Sequence, residues 1–236
     1  MFFFPLTNFF ILIFVALLGF LIVLVQVKAI TYAYERAGVE SRYVFAVLAA
    51  SLLGSAINIP LLRLGEGEPV LVGQVVRHFG MEYVIPVVRR APGTLLAVNV
   101  GGAVVPAAVS AYLLWKLPEL LPKALAGIAV MSGLIYYLAE PVPGMGIAVP
   151  TLAPPMFAAA CALILDRRQA APLAYVSGTL GVLIGADLFN LGVIAGLGAP
   201  VASIGGAGTF DGVFLTGLLA VLLACGLGPG CARPPQ

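Results

Sequence analysis

A chain of 236 residues that is 61% hydrophobic and only 9% charged, with a mean hydropathy of +1.11, has too little polar surface to cover a water-soluble globule. Its net charge of +2 arises from 12 dispersed basic residues, so no basic face of the kind nucleic-acid binding needs can be assembled. Membrane residence is what remains, and nucleic acid is excluded as a partner.

The amino-terminal run "MFFFPLTNFFILIFVALLGFLIVLVQ" has no basic leader and is longer than the apolar core of a signal peptide, so a retained anchor helix is expected there. A membrane-spanning helix needs about 20 mostly apolar residues. Seven stretches approach that length: 6–27, 43–62, 93–115, 120–139, 148–165, 171–197 and 204–228. "KAITYAYERAGVESR", between the first and second, reads as a polar connector with a short interfacial helix. Between the second and third lies "EPVLVGQVVRHFGMEYVIPVVRR", whose β-branched residues form two runs around "HFGME" and predict a hairpin with Gly80 in its turn. The expected architecture is an all-α membrane protein of about seven transmembrane helices, one domain over 1–236, with a small extramembrane β-hairpin inserted at 66–90.

Lys28, Arg36, Arg42, Lys116, Lys123, Arg167, Arg168 and Arg233 fall in alternate loops and the tail, and so share one side. Basic residues are retained in the cytoplasm, which predicts a multi-pass protein of the cytoplasmic (inner) membrane with its amino terminus outside and its carboxyl terminus cytoplasmic. Cys161 and Cys225 lie in apolar runs and Cys231 in the tail, giving neither a paired framework nor a metal-binding spacing.

In this topology Asp187 lies on the order of 15 Å below the outer end of the sixth span, and Asp211 about 10 Å into the seventh. Asn190 shares a face with Asp187 through its i, i+3 spacing. Asn58, Asn99 and Glu140 fall in the outer parts of the second, third and fourth spans. An ionised carboxylate at mid-bilayer costs about 2.5–3.5 kcal/mol, so a membrane acid usually faces a cavity or a partner. Small residues and prolines cluster at the same places, in "SAINIP", "NVGGAVVP", "EPVPGMGIAVPTLAPP" and "GGAGTFDG". They read either as close helix packing or as broken helices around a polar cavity. "GTLLAVNVGG" from Gly93 and "GTLGVLIGAD" from Gly178 form an echo that two inverted three-helix units would produce.

"GADLFNLG" and "IGGAGTFDGVFLTG", preceded by "NVGGAVVPAAVSAYLL", resemble an uncharacterised family of bacterial and archaeal membrane proteins, domain of unknown function 1614. The resemblance covers most of the chain, "GGAGTFDG" is its most specific part, and it implies a single membrane domain without a mechanism. A more distant similarity is to intramembrane aspartyl proteases of the presenilin and signal-peptide-peptidase class, which implies Asp187 and Asp211 as the matching pair. No tyrosine precedes the first aspartate, the second sits in "GTFD", and no Pro-Ala-Leu element follows.

Three functions are therefore expected as alternatives. One is a cation- or proton-coupled transporter or channel-like protein with an outer-leaflet cavity, in which Asp187, Asp211, Asn190, Asn99, Asn58 and Glu140 supply oxygen ligands of the kind hard cations prefer. Another is an intramembrane aspartyl protease with Asp187 and Asp211 as general base and acid. The last is a non-catalytic assembly subunit whose hairpin, with Arg77 and His78, docks a partner. Expected partners are membrane lipid and a small cation or proton. No cofactor is expected: one histidine cannot make a zinc site of the usual composition, and no lysine follows a glycine loop.

Overall fold

Most of the chain is helical, and prolines and glycines mark where its helices start and stop. The structure is a computed structural model and describes residues 6–64, 69–78, 81–90, 93–142, 146–194, 199–206 and 212–228. Helix α1 (Leu6–Ala37) ends at Gly38, whose φ of 108° suits glycine, and α2 (Ser41–Gly54) starts directly after that turn. The separate interfacial helix expected after the first span is corrected: nothing in "KAITYAYERA" interrupts the backbone ladder, so α1 runs through it. The remaining helices are α3 (Val105–Lys116), α4 (Leu121–Leu138), α5 (Ala153–Leu165), α6 (Ala170–Val182), the short α7 (Leu191–Ile194) and α8 (Gly212–Leu227). Prolines open α3, α4 and α5, where a missing N–H costs no helical hydrogen bond.

Three helical stretches, Ile11–Ala37, Pro118–Leu138 and Ala170–Leu188, are long and apolar enough to cross a membrane; Ser41–Gly54, Val100–Lys116, Ala153–Leu165 and Gly212–Leu227 are apolar but shorter. The shortfall is explained by strands: β1 (Asn58–Leu64), β2 (Pro69–His78), β3 (Met81–Arg90), β4 (Thr94–Asn99), β5 (Glu140–Val142), β6 (Gly146–Ala148) and β7 (Val201–Ile204). The expectation of an all-helical membrane part is thereby corrected at 58–62, at 94–99 and at 204, where the chain joins a sheet of order β1-β4-β7. β1 runs antiparallel and β7 parallel to β4. Pro60, which would have interrupted a helix, sits on the edge strand at a shift of register, where no donor is missed. β2 and β3 pair antiparallel from Pro69↔Arg90 to His78↔Met81, the hairpin that the two β-branched runs predict; Gly80 lies outside the described residues.

The inverted-repeat echo is corrected as well. Thr94–Asn99 is a strand, whereas its counterpart in "GTLGVLIGAD" is helical throughout, so the two strings are not structural equivalents. Among the cysteines, Cys161 is free and Cys225 is disulfide-bonded, which corrects the unpaired reading for Cys225.

Helix α6 is the central element and is buried at nearly every residue from Ala170 to Val182. Glycine lets its neighbours approach closely: a Cβ on Gly181 would overlap that of Met131 in α4, and one on Gly217 of α8 would overlap the Thr179 methyl. Helix α1 behaves differently along its length. Ala33, Tyr34 and Ala37 are fully buried, whereas nearly every residue from Ile11 to Lys28 is exposed.

Basic loops gather at one end of the bundle. Lys116 Nζ donates to the Gly38 carbonyl (3.1 Å) and Lys123 Nζ to Asp166 Oδ2 (2.5 Å), drawing together the turns before α2, α4 and α6. Lys123 holds the Asp166 carboxyl below its usual range, aided by the Arg168 and Gln169 N–H groups. A carboxyl lowered by folding stabilises the native state above its unfolded pKa and loses that contribution as pH falls through the folded value. Melting curves of detergent-solubilised protein between neutrality and about pH 3 should therefore show Asp166→Asn destabilising at neutral pH by up to about 1 kcal/mol, as expected for a partly exposed pair, with the difference vanishing in acid.

Candidate functional site

At the end of the bundle opposite the basic loops, two helices lose regular α geometry. The chain leaves β4 through a π-helical turn, Val100–Val104, before α3; α6 continues as a π-helical turn, Leu183–Leu188. Such turns displace the i→i−4 ladder and are frequent at functional sites. Both are held by side-chain amides.

Asn99, fully buried, serves the first break. Its Oδ1 accepts from the Gly102 N–H (2.7 Å), and its Nδ2 donates to the Ser55 carbonyl (2.8 Å) and to Asn58 Oδ1 (3.1 Å). Asn58 Oδ1 also accepts from Ser203 Oγ (2.7 Å). One amide thus joins the end of α2 to β1, β4 and, through Ser203, to β7. At the second break Asn190 Nδ2 donates to the carbonyls of Gly185 (3.1 Å) and Ala186 (3.0 Å), while the Phe189 N–H reaches back to the Ile184 carbonyl (2.9 Å). Asp187, on the same turn, accepts the Gly205 N–H at Oδ2 (2.7 Å).

The two breaks form one junction because of glycine. Gly205 and Gly206 take φ values of 82° and 76°, so the chain turns sharply after β7 in a conformation that side chains disfavour. That turn lies against the first break: a Cβ on Gly102 would overlap the Gly205 carbonyl oxygen, and one on Gly205 would come within 2.6 Å of the Ala103 nitrogen. A polar track, hydrogen-bonded on either side of the close contact between Gly205 and Gly102, runs from Asp187 to Asn99 and Asn58.

Beside the track is a cavity of about 400 Å³, walled by the end of α6, the starts of α5 and α8, and strands β6 and β7. Asp187 reaches it together with Ser203, Thr151 and Thr216; Pro154, Val182 and Ile204 contribute apolar wall. A carboxylate, hydroxyl-bearing residues and backbone groups, set in a wall that is polar and apolar in similar share, suit a small polar or charged guest.

The residues expected from sequence divide between the two features. Asp187 lines the cavity. Asp211 lies outside the described residues; its chain neighbour Gly212 lines the cavity. Asn58 and Asn99 bond each other, and Asn190 caps its own turn; none of these three is part of the cavity wall. Glu140 opens β5 and is exposed, while Gly146 and Ile147 of the paired strand β6 reach the cavity. Sequence reasoning passed over Thr151, Ser203 and Thr216. The usable signal for Thr151 and Ser203 was their position beside "APP" and "IGG", since hydroxyls next to chain breaks are well placed to meet unpaired backbone groups; Thr216 lies one turn into α8 and carries no such signal. Among the described residues no group of three or more His, Cys, Asp or Glu is placed to hold a metal ion.

A family model described as "Protein of unknown function (DUF1614)" matches residues 52–223, which include the junction and the cavity residues named above. Neither the curated proteins nor the solved structures contain a match to the chain.

Proposed function

The chain belongs to the DUF1614 family of proteins of unknown function, and from its cavity we propose a multi-pass membrane protein that moves a small cation or proton, as a coupled transporter or channel-like pathway. The observation that carries this reading is Asp187, a carboxylate set on a π-helical break and lining a cavity whose wall also includes Thr151, Ser203 and Thr216. Hard cations take such oxygen ligands, and interrupted helices supply further carbonyls where they line a cavity. Asp211, one residue before the cavity-lining Gly212, is proposed as the second charge. Two carboxylates sharing a site retain a proton readily, which couples ion occupancy to protonation.

The same reading places seven passes in the cytoplasmic membrane, with the shorter helices completed by strands and turns, the amino terminus outside and the gathered basic loops in the cytoplasm. The cavity then opens in the outer half, and the β2–β3 hairpin forms an inserted extramembrane element. The test is flux in proteoliposomes with an internal pH dye and imposed monovalent-cation gradients. Wild-type protein carries ions, whereas Asp187→Asn and Asp211→Asn each abolish the flux; wild-type rates in both variants would remove the reading. Thr216→Val should weaken apparent ion affinity without abolishing transport.

A second reading, an intramembrane aspartyl-type protease, is favoured by β7. This edge strand lines the cavity along its whole length, and an edge strand can hold an extended peptide by main-chain pairing. Asp187 and Asp211 would then act as general base and acid. Purified protein that leaves transmembrane peptides intact, or cuts them equally well as the double Asp→Asn variant, counts against it.

A further inference from the structure

On the flank of the bundle an apolar groove of about 510 Å³ runs between α2 and α3. Its floor and walls are alanine and valine, among them Ala46, Ala50 and Ala108, whose small side chains leave the helices parted. From Tyr43 to Ala50 on one side and Val105 to Tyr112 on the other, the groove is on the order of 10 Å long at 1.5 Å per residue. Between the two tyrosines at one end and Ala50 and Val105 at the other, its lining side chains are alanine and valine, which hold no water. At its end nearest the basic loops stand two tyrosines, Tyr43 and Tyr112, each with a cation over its ring: the Arg42 guanidinium 4.6 Å from the Tyr43 centroid, and Lys116 Nζ 5.6 Å from that of Tyr112. Glu40 lies between them, 2.8 Å from Arg42 and 3.9 Å from Lys116, so two cations face one carboxylate.

We propose that this groove is a binding site for an anionic phospholipid, with an acyl chain between α2 and α3 and the phosphate on Arg42 and Lys116. The apolar length excludes a soluble anion as the natural occupant, and the surplus of positive charge at one mouth distinguishes an anionic from a zwitterionic headgroup. Tyrosine rings at the boundary match the headgroup level, where aromatic residues collect, and long basic side chains reach the interface from there. Clustered cations at the cytoplasmic face attract anionic lipid by about fivefold in affinity per residue. The site is separate from the cavity around Asp187. It rests on α2 and α3 lying in the bilayer as proposed above, and is independent of what the cavity carries.

Trp115, the sole tryptophan, is exposed one turn beyond Tyr112 and reports on this site. In bilayers of mixed phosphatidylcholine and phosphatidylglycerol, either lipid can carry brominated acyl chains that quench it on contact. The full chain should show phosphatidylglycerol enriched at Trp115 at least about fivefold over its bulk fraction. Arg42→Gln/Lys116→Gln should return quenching to the bulk ratio, and Ala46→Leu/Ala108→Leu, which fills the groove, should do the same with both cations intact. Quenching proportional to bulk composition for wild-type protein overturns the proposal. So does a lipid-insensitive dimer cross-linked through Ala46 and Ala108 positions, which would make a second copy the occupant. Absence of quenching by either lipid means that α3 is outside the bilayer and overturns the membrane placement together with the site, a result distinct from loss of headgroup preference alone.

Discussion

Gly102→Ala is expected to remove the folded state at ordinary temperatures. The added methyl would overlap the Gly205 carbonyl oxygen, and neither side can yield cheaply. Gly102 sits in a π-helical turn whose N–H is bonded to Asn99, while Gly205 is held by a φ of 82° and by its N–H on Asp187. Relief requires moving backbone on both sides, which exceeds the ordinary overpacking cost of 1–3 kcal/mol and is put at about 4 kcal/mol or more. Thermal denaturation and size-exclusion profiles in detergent check it. Gly133→Ala in α4 is the control: nothing lies within 4 Å of the new methyl, and alanine is the better helix former by up to about 1 kcal/mol, so that variant should melt slightly higher. Equal melting temperatures for the two variants would show that the breaks do not press on each other as described.

Asn99→Ala carries the second largest effect, by a different route. The methyl fits, but the Gly102 N–H, the Ser55 carbonyl and the Asn58 amide oxygen each lose a partner. Leaving a buried polar group unpaired costs about 1–3 kcal/mol. Asn58 retains the Ser203 hydroxyl, so the loss is put at about 3 kcal/mol, not the sum over all three. Asn99→Asp separates the roles: its carboxylate can still accept from Gly102 but cannot donate to Ser55 or Asn58, so it should fall nearer to alanine than to wild type. Because the amide ties β4 to β1 and to the end of α2, hydrogen exchange should quicken in β1 before it does in α6.

What could be read from the chain depended on whether a signal was local. The hairpin is legible in its two β-branched runs because that signal rests on neighbouring residues, whereas α3 and α5 begin at prolines inside stretches that read as spans from 93 and from 148. "NIPLLRL" and "TLLAVN" are as apolar as the helices around them, so length and hydropathy alone assigned them to spans. Only their pairing with each other, across an insertion of some thirty positions, makes them strands. Glycine misled for a related reason. Gly181 and Gly217 admit a neighbouring helix, whereas Gly102 and Gly205 admit a neighbouring backbone at a break. Both kinds look alike in sequence. The asparagines stand out in the sequence as polar groups in an apolar chain. Their hydrogen bonds, however, go to backbone carbonyls, a backbone N–H and each other, a partnership that depth bookkeeping could not distinguish from lining a cavity.

The wide turn at Leu183–Leu188 ties the direction in which Asp187 points to the pitch of its helix. An α-helix advances about 100° per residue, so tightening this one turn would rotate everything beyond it by a comparable angle. The Asn190 amide would then release the Gly185 and Ala186 carbonyls, and Asp187 would leave the Gly205 N–H. Charge orientation and helical winding are thus a single mechanical coordinate here, held by the Asn190 and Asp187 hydrogen bonds among others and geared so that a small axial change swings the carboxylate through a large arc.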